Sequence, residues 1–249
     1  MVVKVRILKQ IEPDFKILIC GMPGSGYVGK LAVDYLVKEL KGELIAEIYS
    51  DSFPPVVIIK RDGVAEPIKG EIYSCKDPSA KQNLLIFTGS TQPVTAEGEY
   101  EVADTVLEFA KKANVKMVYT MGAYILGSFV KNPKVHGTAI NKDLLVGLRK
   151  HKVLVMKEGS ITGMNGLLFA LTQLKEMKGI CLLGETSGYV VDAKASEAVL
   201  EVLNQLLELK VDMTALREKG KETEDFIKKL EATNKKGGRP SSSSLGYIS

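Results

Sequence analysis

The chain has 249 residues, a formal net charge of +4, 45% hydrophobic and 26% charged residues, and no tryptophan. That apolar share excludes a wholly disordered chain. The length suits one large domain with an appendage, and the small positive charge falls short of the clustered basicity of a dedicated nucleic-acid binder.

In chain order, residues 16–20 (KILIC) read as a buried strand ended by Gly21. Residues 27–40 place Val28, Leu31, Ala32, Tyr35, Leu36 and Leu40 at helical spacing. Residues 44–49 are strand-like until Phe53-Pro54-Pro55 breaks the pattern, and residues 56–60 with Arg61-Asp62-Gly63 and the apolar stretch beyond predict a hairpin on an Asp-Gly turn. An apolar strand is predicted at 84–87. A helix follows at 99–113 with Val102, Val106, Phe109 and Ala110 on one face, then a strand at 117–121 ended by Gly122. Beyond these come a short helix at 143–149, a strand at 153–156, an apolar helix at 164–177, a strand at 180–183, and a helix N-capped by Asp192 that runs through Leu209. Strand and helix thus alternate along the body. This predicts the α/β class, a three-layer α/β/α sandwich with a mostly parallel sheet covered on both faces.

The run Gly21-Met22-Pro23-Gly24-Ser25-Gly26-Tyr27-Val28-Gly29-Lys30 leaves a strand and opens a helix. Bare backbone N–H groups attract anions at such a place. Gly24 to Lys30 has P-loop spacing, yet Leu31 stands where a Mg²⁺-binding hydroxyl belongs. Gly24, Gly26 and Gly29 also match GxGxxG, with Pro23 intervening after the strand. Gly24, Ser25, Gly26, Gly29 and Lys30 are therefore the candidate anion-loop residues. They are weighed against a tight turn whose glycines allow close packing, which is the favoured reading.

Two further loops, 159–166 and 184–189, follow a strand or open a helix and are expected beside the first, at the crevice an α/β sheet forms at its strand C-termini. Glu185 is a candidate base there, and Thr186 or Ser187 a candidate nucleophile; the preferred reading is that Glu185 caps a loop or binds backbone amides. His136 is placed in a loop, and no GxSxG elbow occurs. Cys20, Cys75 and Cys181 are too dispersed for a metal or redox motif, and His136 and His151 too isolated for a zinc site. Neither a catalytic residue, a cofactor nor a metal is expected. The absence of an apolar run of the roughly 18 residues a membrane span needs, and of a signal-peptide core, places the protein in the cytoplasm.

Composition changes past Leu209. Residues 210–239 hold nine Lys/Arg against six Asp/Glu, so +3 of the total +4 lies there and residues 1–209 form a nearly neutral body. Residues 210–236 are expected to be a mixed-charge helical extension with a thin stripe that includes Phe226, Ile227 and Leu230. Residues 237–249 are expected to be a flexible tail, in which the linker GGRPSSSS delivers an apolar tip ending Tyr247-Ile248-Ser249. Those six residues are the candidate partner contacts.

The segments GMPGSGYVG at 21–29, TAEGEY at 95–100, YTMGAY at 119–124, ITGMNG at 161–166 and LGETSG at 183–188 stand in this order. Together they resemble the archaeal proteasome-assembly-chaperone family, nearest its PbaA type, over about residues 10–210. The resemblance implies an ATP-independent chaperone rather than an enzyme, an α/β/α fold similar to nucleoside phosphorylases, and a ring-like homo-oligomer, a pentamer for the PbaA type. It implies proteasome core subunits or precursors, or a related family chaperone, as partners. Members often end in hydrophobic-Tyr-any, a tail that enters pockets of the core particle's α ring. Here Tyr247 is third from the end and Ile248 occupies the Tyr position. The rival reading is a small-molecule enzyme of phosphorylase or hydrolase type that uses the loop at 21–29 for an anionic substrate.

Overall fold

Runs of β-branched residues alternating with amphipathic stretches fold here as strands and helices in nearly regular succession. The computed structural model describes residues 2–10, 14–76 and 83–236, and for 76 and 226–236 the backbone alone. In order these form β1 (Val3–Ile7), β2 (Phe15–Cys20), a 3₁₀ turn (Ser25–Tyr27), α1 (Val28–Glu39), β3 (Glu43–Ser50), β4 (Val57–Ile59), β5 (Ala65–Pro67), β6 (Gly70–Lys76) and β7 (Asn83–Gly89). Then come α2 (Ala96–Lys112), β8 (Met117–Ile125), β9 (Val135–Ala139), α3 (Lys142–Lys150), β10 (Leu154–Val155), α4 (Gly163–Leu171), a 3₁₀ turn (Gln173–Lys175), β11 (Lys178–Thr186), α5 (Ala193–Leu207) and α6 (Thr214–Lys236).

The chain has a mixed α/β fold built on a nine-stranded sheet of order β1-β3-β6-β7-β2-β8-β11-β9-β10. Its centre is parallel, with β7, β2, β8 and β11 side by side. The wing β1-β3-β6 is antiparallel, and β9 joins β11 antiparallel on the other side. Side-chain alternation along β2 sorts its residues to the two faces. Ile17 and Ile19 join a cluster with Ala32, Leu36, Val199 and Leu203 from α1 and α5. Leu18 and Cys20 join another with Val102, Val106, Met164 and Leu168 from α2 and α4. Each such fully buried aliphatic side chain stabilises the fold by roughly 1.5–3 kcal/mol.

Several elements differ from the sequence reading for identifiable reasons. Gly122 does not end its strand: β8 continues to Ile125 because β11 pairs beside it through Gly122–Leu183 and on to Ile125–Thr186. His136 is not in a loop but on β9, where Leu183 is its cross-strand partner. The helix expected at 164–177 stops at Leu171, followed by a 3₁₀ turn and Glu176 at φ 60°. β1 pairs with β3, a long-range contact that local pattern does not announce. The hairpin predicted around Gly63 (φ 83°) forms as β4–β5, a two-stranded sheet separate from the large one. Cys20, Cys75 and Cys181 are buried free thiols. Among the described residues no helix is long and apolar enough to cross a membrane.

The shift in composition at Lys210 is not accompanied by an end of packing. Leu209, Met213 and Leu216 belong to the α1–α5 cluster, and the Tyr35 hydroxyl donates to the Asp212 carbonyl at 2.6 Å. Tyr247, Ile248 and Ser249 lie outside the described residues, as do the side chains of Phe226, Ile227 and Leu230. Because Leu216 is wholly buried, Leu216→Ala is expected to cost about 2–4 kcal/mol. Urea denaturation of the full chain measures this.

Candidate functional site

At the carboxyl end of the parallel strands, two loops that open helices face each other across a cavity of about 380 Å³. The first is the glycine loop between β2 and α1. A Cβ on Gly29 would lie 2.0 Å from the Met121 carbonyl oxygen, so the first turn of α1 rests directly on the β8 backbone. A Cβ on Gly21 would lie 2.3 Å from the Gly29 carbonyl oxygen, which extends this close approach back into the loop. Gly26 takes φ 62°, and Tyr27 follows at φ 53°, which turns its ring outward to solvent.

The second loop, at 160–163, enters α4. Two amide side chains hold it to the first. Gln92 accepts from the Met164 N–H at 2.8 Å through Oε1 and donates to the Pro23 carbonyl through Nε2. Asn165 Oδ1 accepts from the Met22 N–H at 3.4 Å.

The cavity is polar but uncharged. Ser25, Gln92, Ser160, Thr162 and Asn165 supply hydroxyls and amides, while Met22, Val28, Ile161 and Leu183 supply apolar wall. Among the described residues its lining contains no carboxylate, amine, guanidinium, imidazole or thiol, and Tyr124 is the one titratable side chain. Of the candidate anion-loop residues, Gly24, Ser25 and Gly29 line the cavity, and Gly26 is buried beside Thr186. Lys30 is not in the lining; its ammonium is held by both carboxylate oxygens of Asp34, at 2.5 and 2.7 Å, one turn along α1. Among the described residues, the cavity offers an anion backbone dipoles and neutral donors.

Sequence distance hid the most ordered polar group near the cavity. Glu185, nearly buried on β11, accepts from the Lys134 N–H at 3.0 Å and pairs with His136 Nε2 at 2.9 Å. The imidazole stacks on Tyr124, with ring centres 3.8 Å apart and planes within 5°. Burial opposes ionisation of Glu185, but its hydrogen bonds from His136 and Lys134 outweigh that and hold its carboxyl below the usual range. Glu185 thus binds a backbone amide while carrying an imidazole partner 49 residues away. Nothing in the sequence pairs His136 with Glu185 among the 30 acidic residues of the chain.

This pair is not extended to a nucleophile. Thr186 donates to Asp192 Oδ2 at 2.7 Å, and Ser187 Oγ accepts from the Tyr189 N–H at 3.3 Å. Among the described residues no hydroxyl or thiol is hydrogen-bonded to His136. Burial pushes the Cys75 and Cys181 thiols up to about 12, and Cys20 further in the same direction, so none is an activated thiolate. Asp192 instead braces the loop: its other oxygen accepts from the Ala195 N–H at 3.0 Å and caps α5. Among the described residues no cluster of three or more His, Cys, Asp or Glu is placed to hold a metal ion.

Two outcomes follow from this geometry. Gly29→Ala drives a methyl into the Met121 carbonyl and is expected to cost more than about 3 kcal/mol. Gly24→Ala, whose nearest neighbour would lie 3.7 Å away, is expected to change stability by less than about 1 kcal/mol; urea denaturation separates the two. Glu185→Gln is expected to lose about 1–3 kcal/mol at neutral pH. The folded-state carboxyl is held low, so its contribution is present above the ordinary carboxylate value and lost as pH falls through the folded one. The gap between wild type and Glu185→Gln should therefore be full above about pH 5 and narrow below about pH 4, as read from denaturation curves across that range.

The PAC2 family model matches residues 18–231. The uncharacterized protein MJ1210 of Methanocaldococcus jannaschii is 36% identical over 227 residues, 90% of this chain and 87% of that protein. The crystal structure of PbaB from Pyrococcus furiosus, an archaeal proteasome activator, is similar with a TM-score of 0.86 and 38% identity, covering 92% of this chain and 98% of that one. That of Pyrococcus furiosus PbaA, an archaeal homolog of proteasome-assembly chaperone, gives a TM-score of 0.77 and 29% identity over 94% and 93%. PbaB is thus the nearer of these two in both measures, and the chain belongs to the PAC2 family.

Proposed function

We propose that this protein is a non-enzymatic factor of the proteasome system, an ATP-independent chaperone or activator that binds core-particle subunits or their precursors as a homo-oligomeric ring. The observation that carries the reading is the match to the archaeal proteasome activator PbaB along 98% of that chain. The cavity adds support, since among the described residues its lining holds no carboxylate, imidazole or cation of the kind hydrolysis or phosphoryl transfer employs. Lys30 is engaged by Asp34, and Leu31 stands where a Mg²⁺-binding hydroxyl would be needed, which favours ATP independence. In this reading α6 and the tail beyond it select the partner. Phe226, Ile227 and Leu230 form its apolar stripe, and Tyr247-Ile248-Ser249 is a tethered tip whose local concentration the linker raises.

The rival reading, a small-molecule enzyme acting on an anion, has the cavity's position in its favour and its uncharged lining against it. Calorimetric titration with phosphate, nucleosides and ATP is expected to give no heat of binding; saturable binding abolished by Gly26→Trp would favour the enzyme. Immobilised full-length protein is expected to retain proteasome core particles or α subunits, and truncation after Asp225 to lose them. That cut spares Met213 and Leu216, which the core requires. Absence of capture by the full chain overturns the proposal, and unchanged capture by the truncated chain removes the arm from it.

A further inference from the structure

At the amino ends of the parallel strands, away from the glycine loops, the molecule gathers positive charge. Lys16, Lys116 and Lys178 stand at or just before the starts of β2, β8 and β11, three neighbours in the sheet. Backbone bonds fix them in a row. The Lys116 N–H donates to the Lys16 carbonyl at 2.9 Å, and the Lys178 N–H to the Lys116 carbonyl at 2.9 Å. Adjacent strands are about 4.8 Å apart, so the row spans roughly 10 Å. Lys111 and Lys112 extend it. They end α2, and the carbonyl of Ala113 after them accepts from the Phe15 N–H at 3.1 Å, one residue before Lys16. All five lysines are exposed.

The dipole of α2 favours cations in its last turn and accounts for Lys111 and Lys112. It does not account for the row. Like charges side by side on neighbouring strands oppose each other. Lys175, on the same side of the molecule, is held by Asp104 and Glu108. Among the described residues, none of the five lysines has such a carboxylate partner. The carboxylates beside the row are Asp14 and Glu176. Asp14 accepts from the Asn83 amide at 2.8 Å, and Glu176 sits in a left-handed turn two residues before Lys178. Positive charge is thus in excess here, although residues 1–209 are nearly neutral as a whole.

An ammonium is a point charge that suits carboxylates and phosphates alike, so acidic peptides and nucleic acids are the partners to separate. Single-stranded nucleic acid is held by bases stacked on aromatic rings as well as by charge. Among the described residues the exposed aromatic side chains are Tyr27, Tyr100, Phe129 and Tyr189. All four belong to the opposite end: Tyr27 follows β2, Tyr100 lies early in α2, and Phe129 and Tyr189 follow β8 and β11. We infer that the Lys16–Lys116–Lys178 row docks an acidic segment of a partner protein, with carboxylates of that segment lying along the row. Charge complementarity of this kind sets orientation and on-rate more than raw affinity. The contact uses no residue of the glycine loops, α6 or the tail, so its test is independent of the proposed function.

Full-length protein is titrated into fluorescein-labelled octaglutamate, and anisotropy reads binding. Saturable binding is expected, weakening as salt rises because exposed charges are screened. Lys16→Gln with Lys116→Gln and Lys178→Gln is expected to weaken it at least about tenfold, and Lys→Arg at the same three positions to preserve it. Lys131→Gln with Lys150→Gln and Lys157→Gln removes equal charge from exposed sites at the other end of the sheet. This distant variant is expected to bind within about twofold of wild type. Circular dichroism confirms folding. If the first variant unfolds, Lys116→Gln alone replaces it, with an expected loss of at least about threefold. No binding by wild type, undiminished binding by the Lys16–Lys116–Lys178 variant, or an equal loss in the distant variant overturns the inference. Tighter binding of oligouridylate or duplex DNA, abolished by the same variant, assigns the row to nucleic acid and likewise overturns it.

Discussion

The approach of α1 to β8 with nothing but backbone between them sets the geometry of this end of the molecule. Gly29 lies against the Met121 carbonyl and Gly21 against Gly29, so no side chain separates helix from sheet there. The loop that joins them has one course available, through the left-handed Gly26 and Tyr27. That course buries Gly26 beside Thr186 and faces Tyr27 outward. Cavity, loop brace and the outward Tyr27 all follow from one contact that only glycine permits.

Around that contact the polar groups join segments of the chain. Gln92 and Asn165 tie the glycine loop to the start of α4. Asp192 ties the β11 exit to α5, and Glu185 ties β11 to β9 through Lys134 and His136. Charged side chains near the loops are paired outside the cavity, as Lys30 is with Asp34.

The same edge carries large apolar side chains at both ends of its span. The β4–β5 ribbon leaves Val57, Ile58 and Ile59 exposed, while its root is fixed by the Glu47–Lys69 pair and the buried Phe53 and Ile68.

Much of this was legible in the residues alone. The alternation of β-branched runs with 3.6-period helices determined the α/β class and the central strands, and Arg61-Asp62-Gly63 determined the hairpin, because these signals are local. The glycine-rich segments, read in order, determined the family. Tertiary structure decided what depends on residues distant in the chain. β1 and β9 exist by pairing with strands far away in sequence; Gly122 stays in a strand because β11 continues beside it. His136 meets Glu185 only because β9 turns back along β11. Spacing likewise did not place the two ends of the glycine run's helix turn: Lys30 lies on the flank of α1 where Asp34 is one turn away, and Gly29 lies on the flank that meets β8.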